Sequence, residues 1–179
     1  MLEKITNKIP ILLRKSILVI SLLMSSSYSG VLTIDNNISF DVLTINSDDK
    51  VIVSSNVILT VNGSIYIIGE LEMADGSVVD AADVTVSAIT GILDMDGSSS
   101  LEIEGDLNFD GTLEADTGSR IILDGNSSQI ISGSPSTEPI FNSLFLTANP
   151  TTFDLTATVA DTLDAGGQDV TISIDNTLT

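Results

Sequence analysis

No cysteine, no histidine and no tryptophan occur in the 179 residues, and tyrosine is limited to two. Each absence removes a chemistry. Without Cys there is no disulfide and no thiolate ligand. Without His there is no imidazole base, so Ser-His and Cys-His nucleophile pairs and the common zinc sites are excluded. Positive charge is nearly as scarce, with six Lys and Arg against 25 Asp and Glu, a formal net charge of −19. Four of the six, Lys4, Lys8, Arg14 and Lys15, lie near the start. From Gly30 onward only Lys50 and Arg120 stand against 24 acids, a net charge of −22. Nucleic acid and anionic membrane surfaces repel such a chain. The segment from Gly30 to Thr179 suits one domain with a sizeable core.

The cations near the start have a reading of their own. Residues 1–29 have the form of an export signal: a basic opening to Arg14-Lys15, a short apolar core from Ile17 to Met24, then small residues at Ser27 and Ser29. Cleavage is expected before Gly30. The apolar run falls short of the roughly 20 residues that span a bilayer, so no transmembrane segment is expected in the mature chain. No Cys follows it, which excludes a lipid-anchored lipoprotein. The expected location is therefore secreted, extracellular or on the outer cell surface.

After Gly30 the pattern alternates apolar and polar residues, as in Leu101-Glu-Ile103, Leu107-Asn-Phe109 and Val170-Thr-Ile172. This is the period of β-strands, and no segment has helical spacing. Asn62-Gly63, Asp75-Gly76, Asp96-Gly97, Asp110-Gly111 and Asp124-Gly125 are turn signals between the strands. They would suit hairpins in an antiparallel β-sandwich, which is the alternative fold. Self-similarity points elsewhere. Gly69-Glu-Leu71-Glu-Met73 aligns with Gly91-Ile-Leu93-Asp-Met95 and with Gly111-Thr-Leu113-Glu-Ala115, the leucines 22 and then 20 residues apart. A second series runs through Leu59–Val61, Val84–Val86, Leu101–Ile103 and Ile121–Leu123. A period near 20 with several strands per period predicts a parallel β-solenoid (β-helix), one period per coil. About seven coils at a strand spacing of roughly 4.8 Å would make a rod near 34 Å long. Pro135 and Pro139 mark a surface loop near residues 133–139. The chain stops at Asn176-Thr-Leu-Thr179 with no polar cap. The expectation is a segment of a longer protein, or an exposed last strand that pairs with further coils or with another chain.

The segments Gly125–Gly133, Pro139–Thr147 and Asp161–Ile172 resemble the repeat units of large secreted bacterial β-solenoid surface proteins, adhesin-like and similar to autotransporter passengers. The resemblance covers about residues 56 to 175. It implies an adhesive or structural role at the cell surface with no catalytic activity. Neither the C-terminal membrane barrel nor the sorting domain of such proteins is expected within residues 30–179.

The aligned repeats stack carboxylates. Glu72, Asp94 and Glu114 share one position, and Asp75, Asp96 and Asp116 share approximately another at the turn. Like charges about 4.8 Å apart repel by about 0.9 kcal/mol in water and about 3.5 kcal/mol at an effective dielectric of 20. A solvated column tolerates the first figure, so a solvated acidic face without a cofactor is the expectation. A crowded turn would want a cation, and Ca²⁺, which takes six to eight oxygens, is the alternative, as a ladder on these carboxylates.

Paired acids also suggest a carbohydrate-active right-handed β-helix, a polysaccharide lyase or hydrolase. Only Lys50 and Arg120 are present to serve as a lyase base, and Tyr66 alone to stack a sugar. An ice-binding solenoid is the third reading. It would need Thr-x-Thr in coil after coil, and the repeats carry acids there instead.

Overall fold

In a computed structural model, the described residues are 30–147, 150–167, 169–172 and 177–179. The expected leader, residues 1–29, lies outside them. Among the described residues, seventeen strands follow one another with no helix between them. The first coil holds β1 (Val31–Ile34), β2 (Ile38–Phe40) and β3 (Leu43–Ile45), and the second β4 (Lys50–Val53) and the long β5 (Ile58–Ile67). The third holds β6 (Glu70–Met73) and β7 (Val78–Val86), and the fourth β8 (Ile92–Met95), β9 (Ser100–Ile103) and β10 (Leu107–Phe109). β11 (Thr112–Ala115), β12 (Arg120–Leu123) and β13 (Gln129–Ser132) form the fifth. The sixth holds β14 (Ile140–Leu146) and β15 (Thr151–Asp154), the seventh β16 (Thr158–Asp164) and β17 (Val170–Ile172).

Each strand pairs with its counterpart one coil away, and every such pairing among the described residues is parallel. Parallel partners cannot be joined by a two-residue hairpin, and the antiparallel sandwich is thereby excluded. The result is a parallel β-solenoid of about seven turns, with three stacks of strands around one core. β1, β4, β6, β8 and β11 form the first face; the other two faces share a continuous sheet because β5 and β7 run round the corner between them. In β5 that corner is Asn62-Gly63, where the pairing with β7 shifts register between Val61 and Ser64. This Asn-Gly bends a strand rather than reversing it.

The leucine frame holds in three dimensions: Leu71 pairs with Leu93 and Leu93 with Leu113. Leu71 and Leu93 are fully buried. The second series needs one correction. Leu59 pairs with Val79, Val79 with Leu101 and Leu101 with Ile121, so Val84–Val86 belongs to the third face, beside Ile65 and Leu107. The alternating side chains that point inward fill a continuous core from Ile34 to Ala157. Phe109 and Phe141 meet in it edge to face at 6.4 Å.

The repeat glycine has a steric cause. A Cβ on Gly69 would lie 2.1 Å from the carbonyl oxygen of Asn46, and one on Gly91 would lie 2.5 Å from that of Ile67. Only a residue without a side chain lets the corner pack so close. The opposite corner of the second to fifth coils is a tight turn, Ser54–Val57, Ala74–Ser77, Asp96–Ser99 and Asp116–Ser119, each closed by a backbone hydrogen bond of 2.9–3.1 Å. Asn56, Gly76 and Gly118 take positive φ at its third residue, where Asn and Gly carry the least strain.

Candidate functional site

Outward positions alternate with the buried ones along each strand, so a column of like residues forms wherever consecutive coils repeat the same letter. On the first face, Glu72 pairs with Asp94 and Asp94 with Glu114. The turn acids divide. Asp96 and Asp116 occupy equivalent places, their amides donating to the carbonyls of Met73 and Met95. The residue at that place in the third coil is Ala74, whose amide donates to Val53. Asp75 stands one residue further along, and its Oδ1 accepts hydrogen bonds of 2.8 Å from both the amide and the hydroxyl of Ser98. Those bonds, the backbone one foremost, hold its carboxyl below the usual carboxylate range.

Among the described residues, the grouping with metal-ligand spacing is Glu70, Glu72 and Asp94, with one carboxylate oxygen from each within 4.8 Å of the others. All three are half-buried, and three hard oxygens at this spacing are able to coordinate a divalent ion such as Ca²⁺. The cluster thus takes two members of the carboxylate ladder and adds Glu70, which the repeat alignment passes over. Glu114 continues the column as an exposed residue. A cation is already present. Lys50 pairs with Glu70 in the register of β4 and β6, its Nζ 2.6 Å from Glu70 Oε1 and also against Glu72 Oε2. Hydrogen bonds to Glu70 and then Glu72 push the lysine further toward its charged form. Asp94 has no such partner. Burial first, then the charges of Asp96, Glu114, Glu72 and Glu70, push it up to about 6.

A second use of acids appears at the corners. Asp83 Oδ1 accepts from the amide of Asp106 at 2.9 Å, and Asp106 Oδ1 accepts from the amide of Ile130 at 2.8 Å. Asp110 does the same for Ser134, and Asn37 for Ile58, at 2.7 and 2.9 Å. In each case a side chain in one coil satisfies a backbone donor in the next. Such donors arise because the regular ladder breaks where the chain changes face.

A shallow depression lined by Asn37, Ile38, Ser39, Ile58 and Thr60 carries no carboxylate. Among the described residues no helix is long and apolar enough to cross a membrane. The fold is compatible with structural solenoids and with catalytic ones. Comparison with known proteins finds no matching family model, no matching curated protein and no matching solved structure.

Proposed function

We propose that this chain is an exported structural or adhesive solenoid of the cell surface, with no catalytic role. The observation that carries this reading is how its acids are employed. Asp75, Asp83, Asp106 and Asp110 each accept a backbone amide of the following coil, and Lys50 engages Glu70 and Glu72. Carboxylates committed in this way hold coils in register. The high negative charge disfavours collapse onto other copies and keeps the rod soluble. The working surface would then be the flat outer faces, presented by a backbone that is hydrogen-bonded from coil to coil. Lys50 supplies the positive charge that the acidic face would otherwise draw from a metal ion, so the rod is read as independent of calcium. Fractionation of cells expressing the full chain tests the location: recovery outside the cell supports export, and retention in the cytoplasm contradicts it.

One observation favours a second reading. Asp94, pushed up to about 6, stands beside Glu72 on an accessible face, and a protonated acid next to an ionised one is the pairing that glycoside cleavage uses. Incubation with acidic and neutral polysaccharides separates the two. Release of reducing ends that is lost in Asp94→Asn would establish the enzyme; no release from any of them supports the scaffold.

A further inference from the structure

Gly30 occupies a definite place in the repeat. Its carbonyl accepts from the amide of Lys50, as that of Asp49 accepts from Glu70, that of Gly69 from Ile92 and that of Gly91 from Thr112, at 2.8–3.0 Å. Gly30 is thus the first member of the glycine corner, and the bond before it is the one that the leader pattern marks for cleavage. Its nitrogen donates to Asp49 Oδ1 at 3.1 Å. The other oxygen of the same carboxylate is held by Asn46 Nδ2 at 3.0 Å. The backbone of Asp49 is fixed on both sides, by its amide on Asn46 and its carbonyl on Glu70.

We propose that hydrolysis of the Ser29–Gly30 bond turns this contact into an ion pair, so that removal of the leader locks the first coil shut. The inference rests on the export reading above. In the step, water adds across the peptide bond under a signal peptidase. Its oxygen stays on the Ser29 carbonyl carbon as a carboxylate, and Gly30 leaves with its nitrogen as an α-ammonium. The amide offered one proton to the carboxylate, a bond already assisted by the charge of the acceptor; the ammonium sets a full positive charge against the same oxygen, so that donor and acceptor are both ionised. The charged surroundings are few. Asp48 is next to Asp49 in the same turn. Lys50 has its ammonium on Glu70 and Glu72. β1 carries no charged residue, and Asp35 beyond it accepts from Ser54. Among the described residues, Lys50 and Arg120 are the cationic side chains, and no ion pair joins either to Asp49. Cleavage also removes Lys4, Lys8, Arg14 and Lys15, so that within residues 30–179 the new ammonium joins Lys50 and Arg120 as the cations.

An α-amine ordinarily titrates at about 7.7–8.0, and a carboxylate in contact raises that value. The ion pair therefore adds stability below about pH 7.7, and the gain is lost as pH rises through the raised value. The test takes the full chain with a site-specific protease sequence placed before Gly30, cleaved after folding. NMR titration of the Gly30 amine is expected to give a pKa at least about half a unit above the ordinary range, returning to that range in Asp49→Asn. Acetylation of the amine is expected to remove the stability gained below pH 7.7 without any substitution. An amine that titrates in the ordinary range in both chains, or a melting profile unchanged by acetylation, would overturn the proposal. The N-terminal residue of the naturally exported chain separates this from the export reading. Gly30 there supports both; another residue there ends the cleavage assignment, whatever the NMR shows of the contact.

Discussion

Gln129 Nε2 donates to the carbonyl oxygen of Ile103 at 2.8 Å from a fully buried position in the core. The same amide nitrogen reaches the carbonyl of Gly105, and its Oε1 accepts from the amide of Gly125 at 3.2 Å. The side chain takes over where the ladder ends after Asp124, whose amide still donates to the Ile103 carbonyl, and before β13 begins. Gln129→Leu keeps the volume and removes all three bonds, and leaving buried amide and carbonyl groups unpaired costs about 2–4 kcal/mol in total. Urea unfolding would register this as a lower midpoint. Gln129→Glu is expected to be worse, because it sets a carboxylate against two carbonyl oxygens.

The corner carboxylates separate acceptor geometry from charge. Asp83→Asn and Asp106→Asn retain the Oδ1 acceptor for the next coil and reduce the excess negative charge. Both are expected to melt within about 0.5 kcal/mol of the parent. Asp83→Ala and Asp106→Ala remove the acceptor and are expected to lose about 1 kcal/mol each. Equal losses in the Asn and Ala series would mean that charge, not the hydrogen bond, maintains the corner.

Stability should also depend on pH with a definite sign. Asp94 titrates at about 6 in the folded chain against an ordinary 3.8, so the folded state holds this proton more tightly than the unfolded state does. Its contribution to stability therefore grows as pH falls from about 7 to 4. Asp75, held low by Ser98, acts in the opposite sense, and its contribution is lost below the usual carboxylate range. Thermal melts across this range should show stability rising on mild acidification and falling again in stronger acid. Asp94→Asn should melt higher at pH 8 and lose the rising limb.

Among the described residues, two buried hydroxyls have no hydrogen-bond partner, Ser77 Oγ and Ser99 Oγ. They share a corner column with Val57 and with Ser119, whose hydroxyl donates to the carbonyl of Asp116 at 2.8 Å. Since Val57 fits the column without a polar group, Ser77→Ala and Ser99→Ala are expected to gain about 1 kcal/mol each in denaturant melts. Ser119→Ala should lose stability by a comparable amount.

The coil length and the Leu71, Leu93, Leu113 frame are legible in the chain because buried positions on a parallel stack must repeat in register. Val84 is misplaced by the same method. Val84-Thr-Val86 has the letters of the series Leu59, Leu101 and Ile121, while the true member, Val79-Asp-Ala81, carries a small residue that blurs the pattern. β7 supplies both segments in one strand, and composition alone does not say which one meets Leu59. Glu70 escapes notice because its neighbours in register are Lys50 and Ile92, not acids. The sign that could have found it is the spacing of 20 residues from Lys50, one coil. Gln129 leaves no mark at all in the sequence, because its role depends on a loop that no other coil repeats.

The most direct test of the account is a pair of thermal melts, in millimolar Ca²⁺ and in chelator, for the parent chain and for Lys50→Gln. If the acids serve the coils and Lys50 supplies the cation of the first face, the parent melts at the same temperature in both conditions. Lys50→Gln then melts lower in chelator and is restored by Ca²⁺, which fills the place among Glu70, Glu72 and Asp94. Calcium bound only by the folded chain at 100 times its Kd would stabilise the parent by about 2.7 kcal/mol. A rise of several degrees in the parent chain would contradict the account and make the acidic face a metal site in its own right.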